Sequence, residues 1–237
     1  MKSRPAIPAE QAPVIKPDRR AVRALVRLTE ALSTAFSAAS EEERGILTSP
    51  ETVTELEAMA ASAGIPVAKI AEYSVAAREA IAAMREADGI GGPGLRYRRE
   101  MSRLFYRPPR MAVLEGRKWV SPKRRTGESL AMGERAAVAR EYARQGLRVV
   151  PGAGEAEDCL QYELEYMAWL INGEAAALEA GNTAEMLRLR GLRRHFVDHH
   201  LEEFCRGVSA FVEDHSDDPV LLFYARLLDL VALRLKE

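Results

Sequence analysis

Residues 155–171 read EAEDCLQYELEYMAWLI. Leu160, Leu164, Met167, Ala168 and Ile171 recur at i, i+4, i+7, i+8 and i+11, the spacing of a buried helical face. Four acids, Glu157, Asp158, Glu163 and Glu165, cluster on or beside the first turns of the same helix. A solvated acidic face accounts for them, since the macrodipole favours acids near a helix N-terminus. The pattern alone favours that reading; the sharper alternative is a docking surface for a basic peptide. The rest of the chain has to decide between the two.

The 237 residues suffice for one large helical domain or two small ones. With 47% apolar residues a sizeable core is available, and global disorder is not expected. The two cysteines, Cys159 and Cys205, form neither a CxxC motif nor a disulfide framework and fit a reducing cytoplasm. No apolar run approaches the roughly 20 residues that span a bilayer. The first residues lack the apolar core of a signal peptide. Arg19-Arg20 resembles a twin-arginine export signal, but Arg23, Arg27 and Glu30 interrupt the residues after it, as in an ordinary amphipathic helix. The net charge of −1 conceals an asymmetry: residues 96–125 hold eleven basic residues against only Glu100 and Glu115. These charges spread over a helix end and a Pro-containing loop with no nucleic-acid-binding motif around them, so nucleic acid is not an expected partner.

Residues 1–17 carry Pro5, Pro8, Pro13 and Pro17 and are expected to be a mobile tail. The rest, 18–237, reads as helical throughout: N-terminal helices over 18–88, a linker at 89–95 containing GIGGPG, and a C-terminal helical part over 96–237. The first helix is expected at 18–39. Thr48-Ser49-Pro50-Glu51 opens a second with Thr48 as cap, Gly64 ends it, and Pro66 opens a third. A short helix at 96–106 stops at Pro108-Pro109, and a long loop covers 107–132. Helices are expected next at 133–145, closed by Gly146, and at 155–180, closed by Gly181. Asn182 caps the next. Val197, Leu201, Phe204, Val208 and Phe211 form another buried stripe, and Asp218-Pro219 caps a last, leucine-rich helix. Strand signals are nearly absent. The pattern predicts an all-α fold, a single helical domain of about eight or nine helices.

Catalytic signatures are missing. None of His195, His199, His200 and His215 belongs to a Glu-x-x-His pair of the di-iron bundles. His195 and His199 lie four apart, a spacing that suits a shared metal but is commoner as a surface feature. The acidic neighbours of Cys159 work against a reactive thiolate. No enzyme activity, metal or cofactor is expected.

Three segments in order resemble a known family. Glu100-Met101-Ser102-Arg103-Leu104-Phe105-Tyr106-Arg107-Pro108 is similar to an E-x-x-x-L-F-x-x-P helix end. Leu130-Ala131-Met132-Gly133-Glu134, Val138, Tyr142, Gly146-Leu147 and then Asp158-Cys159 and Glu163-Leu164-Glu165-Tyr166-Met167 are similar to L-M-G-E … V … Y-x-x-x-G-L … D-H-x-x-x-E-L-E-F-M. Phe196 to Leu201 with Phe204, then Phe223-Tyr224, is similar to F-x-x-x-H-L-x-x-W … F-Y. Together they resemble the TorD/DmsD/NarJ family of redox-enzyme maturation chaperones. Two departures stand out: Cys159 replaces the family's histidine, and Gly116-Arg117-Lys118-Trp119-Val120-Ser121 replaces E-S-V-Y in the loop.

The resemblance implies a cytoplasmic, non-enzymatic chaperone with a TorD-like fold, monomeric or homodimeric. Its client would be a molybdopterin oxidoreductase, bound through its twin-arginine signal peptide or N-terminal segment and held until its cofactor is inserted before export. Guanidinium groups pair with carboxylates, and the apolar stretch behind them needs a groove. The peptide-binding residues so implied are Asp158, Glu157 and Cys159 at the acidic end, with Tyr162, Leu104, Phe105, Trp119 and Pro108 at the groove. Core packing for Leu104 and Phe105, and a helix cap for Asp158, remain equally open. The basic loop is expected to avoid the client's arginines; it either meets acidic surface on the folded client or covers the groove through Leu114 and Trp119. The competing reading is a helical scaffold that docks folded partner subunits without a peptide groove.

Overall fold

The stripe of Leu160, Leu164, Met167, Ala168 and Ile171 is buried along its whole length, on helix α7, Leu160–Glu179. A computed structural model describes residues 18–86, 92–106, 113–119, 130–150 and 156–237. In it α7 lies between two helices, α1, Arg19–Ala35, and α8, Thr183–Phe196. Leu25, Leu28, Leu32 and Ala35 of α1 and Leu189 and Phe196 of α8 are buried, with Leu189 against Gly173 and Phe196 against Tyr166 of α7. Moving each such large side chain out of water is worth about 1.5–3 kcal/mol.

The second organiser is α10, Pro219–Leu235, apolar on nearly every face and therefore central. It packs on α9, Glu202–His215, on α4, Ala71–Glu86, and on α1. Helix α3, Pro50–Ser62, closes against α1 and α4, and α2, Glu41–Leu47, against α5, Pro93–Leu104. Helix α6, Leu130–Arg144, completes the set. N-terminal and C-terminal helices thus share one core. Buried hydroxyls tie them further: Tyr97 donates to the Ala35 carbonyl at 2.8 Å, and Tyr224 to that of Leu47 at 2.7 Å.

The fold is all-α. The described residues hold ten α-helical segments, two of which, α8 and α9, run on through a π-helical turn at Val197–Leu201 as one rod. They hold no strand, only an isolated bridge between Glu115 and Cys159. Several ends follow the expected chemistry. Asn182 accepts from the Glu185 amide at 3.1 Å, and Asp218 from the Val220 and Leu221 amides at 3.1 Å each. Gly64, Gly146 and Gly181 take φ of +82°, +74° and +70°, the left-handed conformation that closes a helix most cheaply with glycine.

Other boundaries differ. The first helix stops at Ala35, and the separate α2 comes after it. Its Ser40 capping box is complete, with the Ser40 amide donating to the Glu43 carboxylate at 2.6 Å. The cap of α3 is Ser49, not Thr48, because Pro50 occupies the first helical position. Pro93 likewise starts α5 ahead of residue 96, so residues 93–95 of the expected linker are helical. Helix α6 begins at Leu130, before 133, and α7 at Leu160, after 155. The expected tail at 1–17 and residues 89–91 of the linker lie outside the described residues.

One buried ion pair fastens α7 to α8. Arg193 donates to Glu174 at 2.6 Å and to the Leu235 carbonyl at the end of α10; Arg190 reaches the same carboxylate at 3.3 Å. Glu174 and Arg193 are both buried. Removing one partner strands the other charge. Glu174→Ala is expected to lower unfolding free energy by about 3–5 kcal/mol, read as a shifted urea midpoint at unchanged slope.

Candidate functional site

Helix α7 has a second stripe. Tyr162, Tyr166 and Trp169 stand at i, i+4 and i+7, on the face of the helix opposite the core stripe. Gly146 turns the chain out of α6, and the Leu147 amide donates back to the Tyr142 carbonyl at 3.0 Å. Residues 147–150 then run past α7. Tyr142, Leu147, Val149 and Val150 join the three aromatics to line a groove of about 370 Å³, with Arg148 and Glu165 also in its wall. Val150 is 72% exposed and Trp169 39%. Tyr166 organises the floor: its ring stacks on Trp169 at 6.1 Å and meets Tyr142 and Phe196 edge-on at 5.0 Å each. Burial, then the charge of Glu141, pushes the Tyr166 hydroxyl up to about 12. The groove is apolar, aromatic and open along one side.

The acidic end of α7 is built differently. Asp158 and Glu163 are 0% exposed, so neither belongs to a solvated face. Glu157 is ion-paired to Arg135 of α6, which holds its carboxyl below the usual range. Glu165 is exposed and accepts from Gln161 at 3.0 Å. Residues 113–119 form a strap over Asp158 and Glu163. The Gly116 amide donates to the Asp158 carbonyl at 2.7 Å, and Glu115 bridges to Cys159. Val113 and Leu114 are buried. The Trp119 indole donates to the Val113 carbonyl at 2.7 Å. Its ring packs on Gly207 of α9, where an added Cβ would meet it at 2.2 Å. The Lys118 ammonium sits 4.9 Å above that ring and 5.2 Å from Phe211.

Glu163 is the unusual group beneath the strap. Both carboxyl oxygens are buried, with no hydrogen-bond partner among the described residues. Burial first, and the nearby Asp158 second, push its carboxyl well above the usual range. It also contributes, after burial, to the upward shifts of the Tyr142 hydroxyl and the Cys205 thiol. Gly116 fits against it because a Cβ there would lie 2.9 Å from Glu163 Oε1. Beside this cluster Glu134 meets the buried His200 Nδ1 at 2.5 Å, across from the π-helical turn.

The residues singled out in the sequence fall in two layers. Glu157, Asp158, Cys159, Tyr162 and Trp119 gather around the first turns of α7 and the strap. Leu104 and Phe105 are core residues, 0% and 1% exposed. Phe105 still reaches the strap through one ring, packing on Phe211 at 6.1 Å. Pro108 lies outside the described residues. Leu114 and Trp119 cover the acidic end of α7, not the open groove. Tyr142, Leu147, Val149, Val150, Tyr166 and Trp169 are not among the peptide-binding residues expected from the sequence, although the i, i+4, i+7 aromatics are there to be read, and Glu163 is expected there only as one of four clustered acids. His195 and His199 stack at 4.1 Å; among the described residues no three or more His, Cys, Asp or Glu side chains are arranged to hold a metal ion. No helix there is long and apolar enough to cross a membrane.

A family whose description is nitrate reductase delta subunit matches residues 71–210, from α4 into α9, taking in the strap, the groove and the buried acids. Neither a curated protein nor a solved structure matches the chain.

The buried acid carries a pH signature. A carboxyl raised in the folded state binds its proton more tightly there than in the unfolded chain. Its stabilising proton is fully present below the unfolded value and is lost as pH rises through the window up to the folded value. Across that window wild-type stability should fall by up to about 1.4 kcal/mol per pH unit from this group. Glutamine copies the protonated shape. Glu163→Gln is therefore expected to melt higher than wild type at pH 8 and to converge with it towards pH 4, in paired thermal melts.

Proposed function

This chain belongs to the nitrate reductase delta subunit family, within the TorD/NarJ group of molybdoenzyme maturation chaperones, and on that premise we propose that it works by holding the N-terminal leader of its client. The client is a molybdopterin oxidoreductase. The bound segment is its twin-arginine signal peptide or an equivalent N-terminal stretch, held in the cytoplasm until the cofactor is inserted.

The observation that carries this reading is the aromatic groove on α7. A twin-arginine leader presents two guanidinium groups followed by an apolar, helix-forming stretch. Such a stretch, once helical, lays apolar side chains spaced i, i+3, i+4 and i+7 into a groove lined with large apolar residues. Tyr162, Tyr166 and Trp169, faced by Leu147, Val149 and Val150, have that composition and leave apolar surface open to solvent. The groove also adjoins the acidic end of the helix. Tyr142 lines it and at the same time lies close enough to Glu163 and Asp158 for them to add, after burial, to the upward shift of its hydroxyl. Apolar and acidic recognition are thus neighbours on one helix, in the order a leader needs them. Asp158, Glu157 and Cys159 remain the acidic end of the proposed site, and Leu104 and Phe105 support it from the core.

The test uses a synthetic leader with an Arg-Arg pair followed by apolar residues. Trp169 lies at the groove's exposed wall, where truncating an aromatic anchor costs about 2 kcal/mol. Trp169→Ala is expected to weaken leader binding about thirtyfold in calorimetry while the helical circular-dichroism spectrum is retained. Equal affinity in the folded variant would remove the groove from the site. Capture of only the mature, leaderless client would favour a scaffold for folded subunits.

A further inference from the structure

The strap covers a site that the groove alone does not explain. Glu163 is fully buried with both oxygens lacking a donor among the described residues. A buried acceptor left unmet costs free energy that a hydrogen-bonded or apolar side chain would not. Asp158 shares the same cover. The groups facing Glu163 are Asp158 at the start of α7, Tyr142 from α6 and Cys205 from α9; the strap presents Gly116, which has no side chain. Among the described residues the site therefore has acceptors, no neutralising partner for Glu163, and a thin backbone lid.

A planar cation with several donors would satisfy it. A guanidinium offers five N–H donors in a fixed fork. The strap itself resembles the segment a leader would bring: apolar Val113, Leu114 and Trp119 around the consecutive basic pair Arg117-Lys118. A backbone hydrogen bond from Gly116 and the Glu115–Cys159 bridge join it to α7. Val113, Leu114 and Trp119 add apolar packing, which an incoming apolar segment can replace in kind.

We propose that residues 113–119 are a displaceable stand-in for the client's leader, and that a leader arginine, on lifting them, takes Glu163 and Asp158 as its carboxylate partners. The proposal rests on the leader-binding reading above and assigns to it a covered arginine site and a built-in competitor. Entry of the guanidinium ionises Glu163. The carboxyl proton passes to solvent, and a carboxylate–guanidinium pair replaces a neutral buried acid.

Proton release is an effect that a merely structural Glu163 would not produce. Calorimetry on the full chain at pH 6, in two buffers of different ionisation enthalpy, compares two synthetic peptides. One carries Arg-Arg followed by apolar residues; the other has citrulline at both arginine positions. The arginine peptide is expected to release protons on binding, and the citrulline peptide none. Glu163→Gln is expected to bind the arginine peptide about ten- to a hundredfold more weakly and without proton release. In a Trp169→Phe background Trp119 is the remaining tryptophan, and its emission should shift to the red as the strap lifts. Binding of the arginine peptide by wild type with no proton released, or with Trp119 emission unmoved, would overturn the covered site while leaving the groove in place. Failure of either peptide to bind would remove the leader-binding reading and this proposal with it.

Discussion

The structure depends on one helix having to bury two faces. Its aliphatic stripe is claimed by α1 and α8. Its aromatic stripe lies against the end of α6 and the segment that Gly146 turns back across it. A helix covered on both sides has little solvent left for its acids, and its N-terminal carboxyls end up inside. Asp158 is buried as the cost of placing Cys159 and Leu160 in the core. Glu163 is buried because its position lies between the two stripes. The electrostatics at this end arise from the packing and were not an independent choice.

That constraint also sorts the charges. Where a cation is close, the acid is paired with it, as with the buried Glu174 and Arg193 or with Glu157 and Arg135 nearer the surface. Where no described cation is close, as at Glu163, burial pushes the carboxyl up, and the neighbouring Tyr142 hydroxyl and Cys205 thiol are pushed up as well. The two kinds of buried acid sit on the same helix, roughly three turns apart. The half of α7 bearing Glu174 binds the fold to itself, and the half bearing Glu163 lies under the strap.

Much of the fold was legible because it is local. Spacing of apolar residues gave α7, α9 and α10, and Asn182, Asp218, Gly146 and Gly181 gave the ends. The missed helix α2 was also locally encoded, in a Ser40–Glu43 capping box. Pro50 and Pro93 displaced two starts because proline prefers the first helical position, whichever polar residue stands before it. The site was legible only in part. Its residue types were visible, but whether Asp158 faces water is decided by Gly116, far away in sequence. Periodicity carries no information about a contact of that kind. Leu104 and Phe105 show the converse: a motif at a helix end marks the family, while the side chains themselves pack in the core, Phe105 against Phe36 and Phe211.

The π-helical turn at Val197–Leu201 has a consequence for chain length. A π turn is an α-helix holding one residue more than its hydrogen-bond ladder needs. Here the surplus falls where His200 reaches across to Glu134, between the part of the rod that braces the groove through Phe196 and the part that receives Trp119 on Gly207. Elsewhere in this rod, losing one residue would rotate everything beyond it by roughly 100° and carry Gly207 away from the indole. Within 197–201 the same loss would tighten the turn to ordinary α-helix and leave both ends facing as they do. Relatives one residue shorter at this place can therefore keep the same groove and the same seat for the strap, with only the His200 contact forfeited.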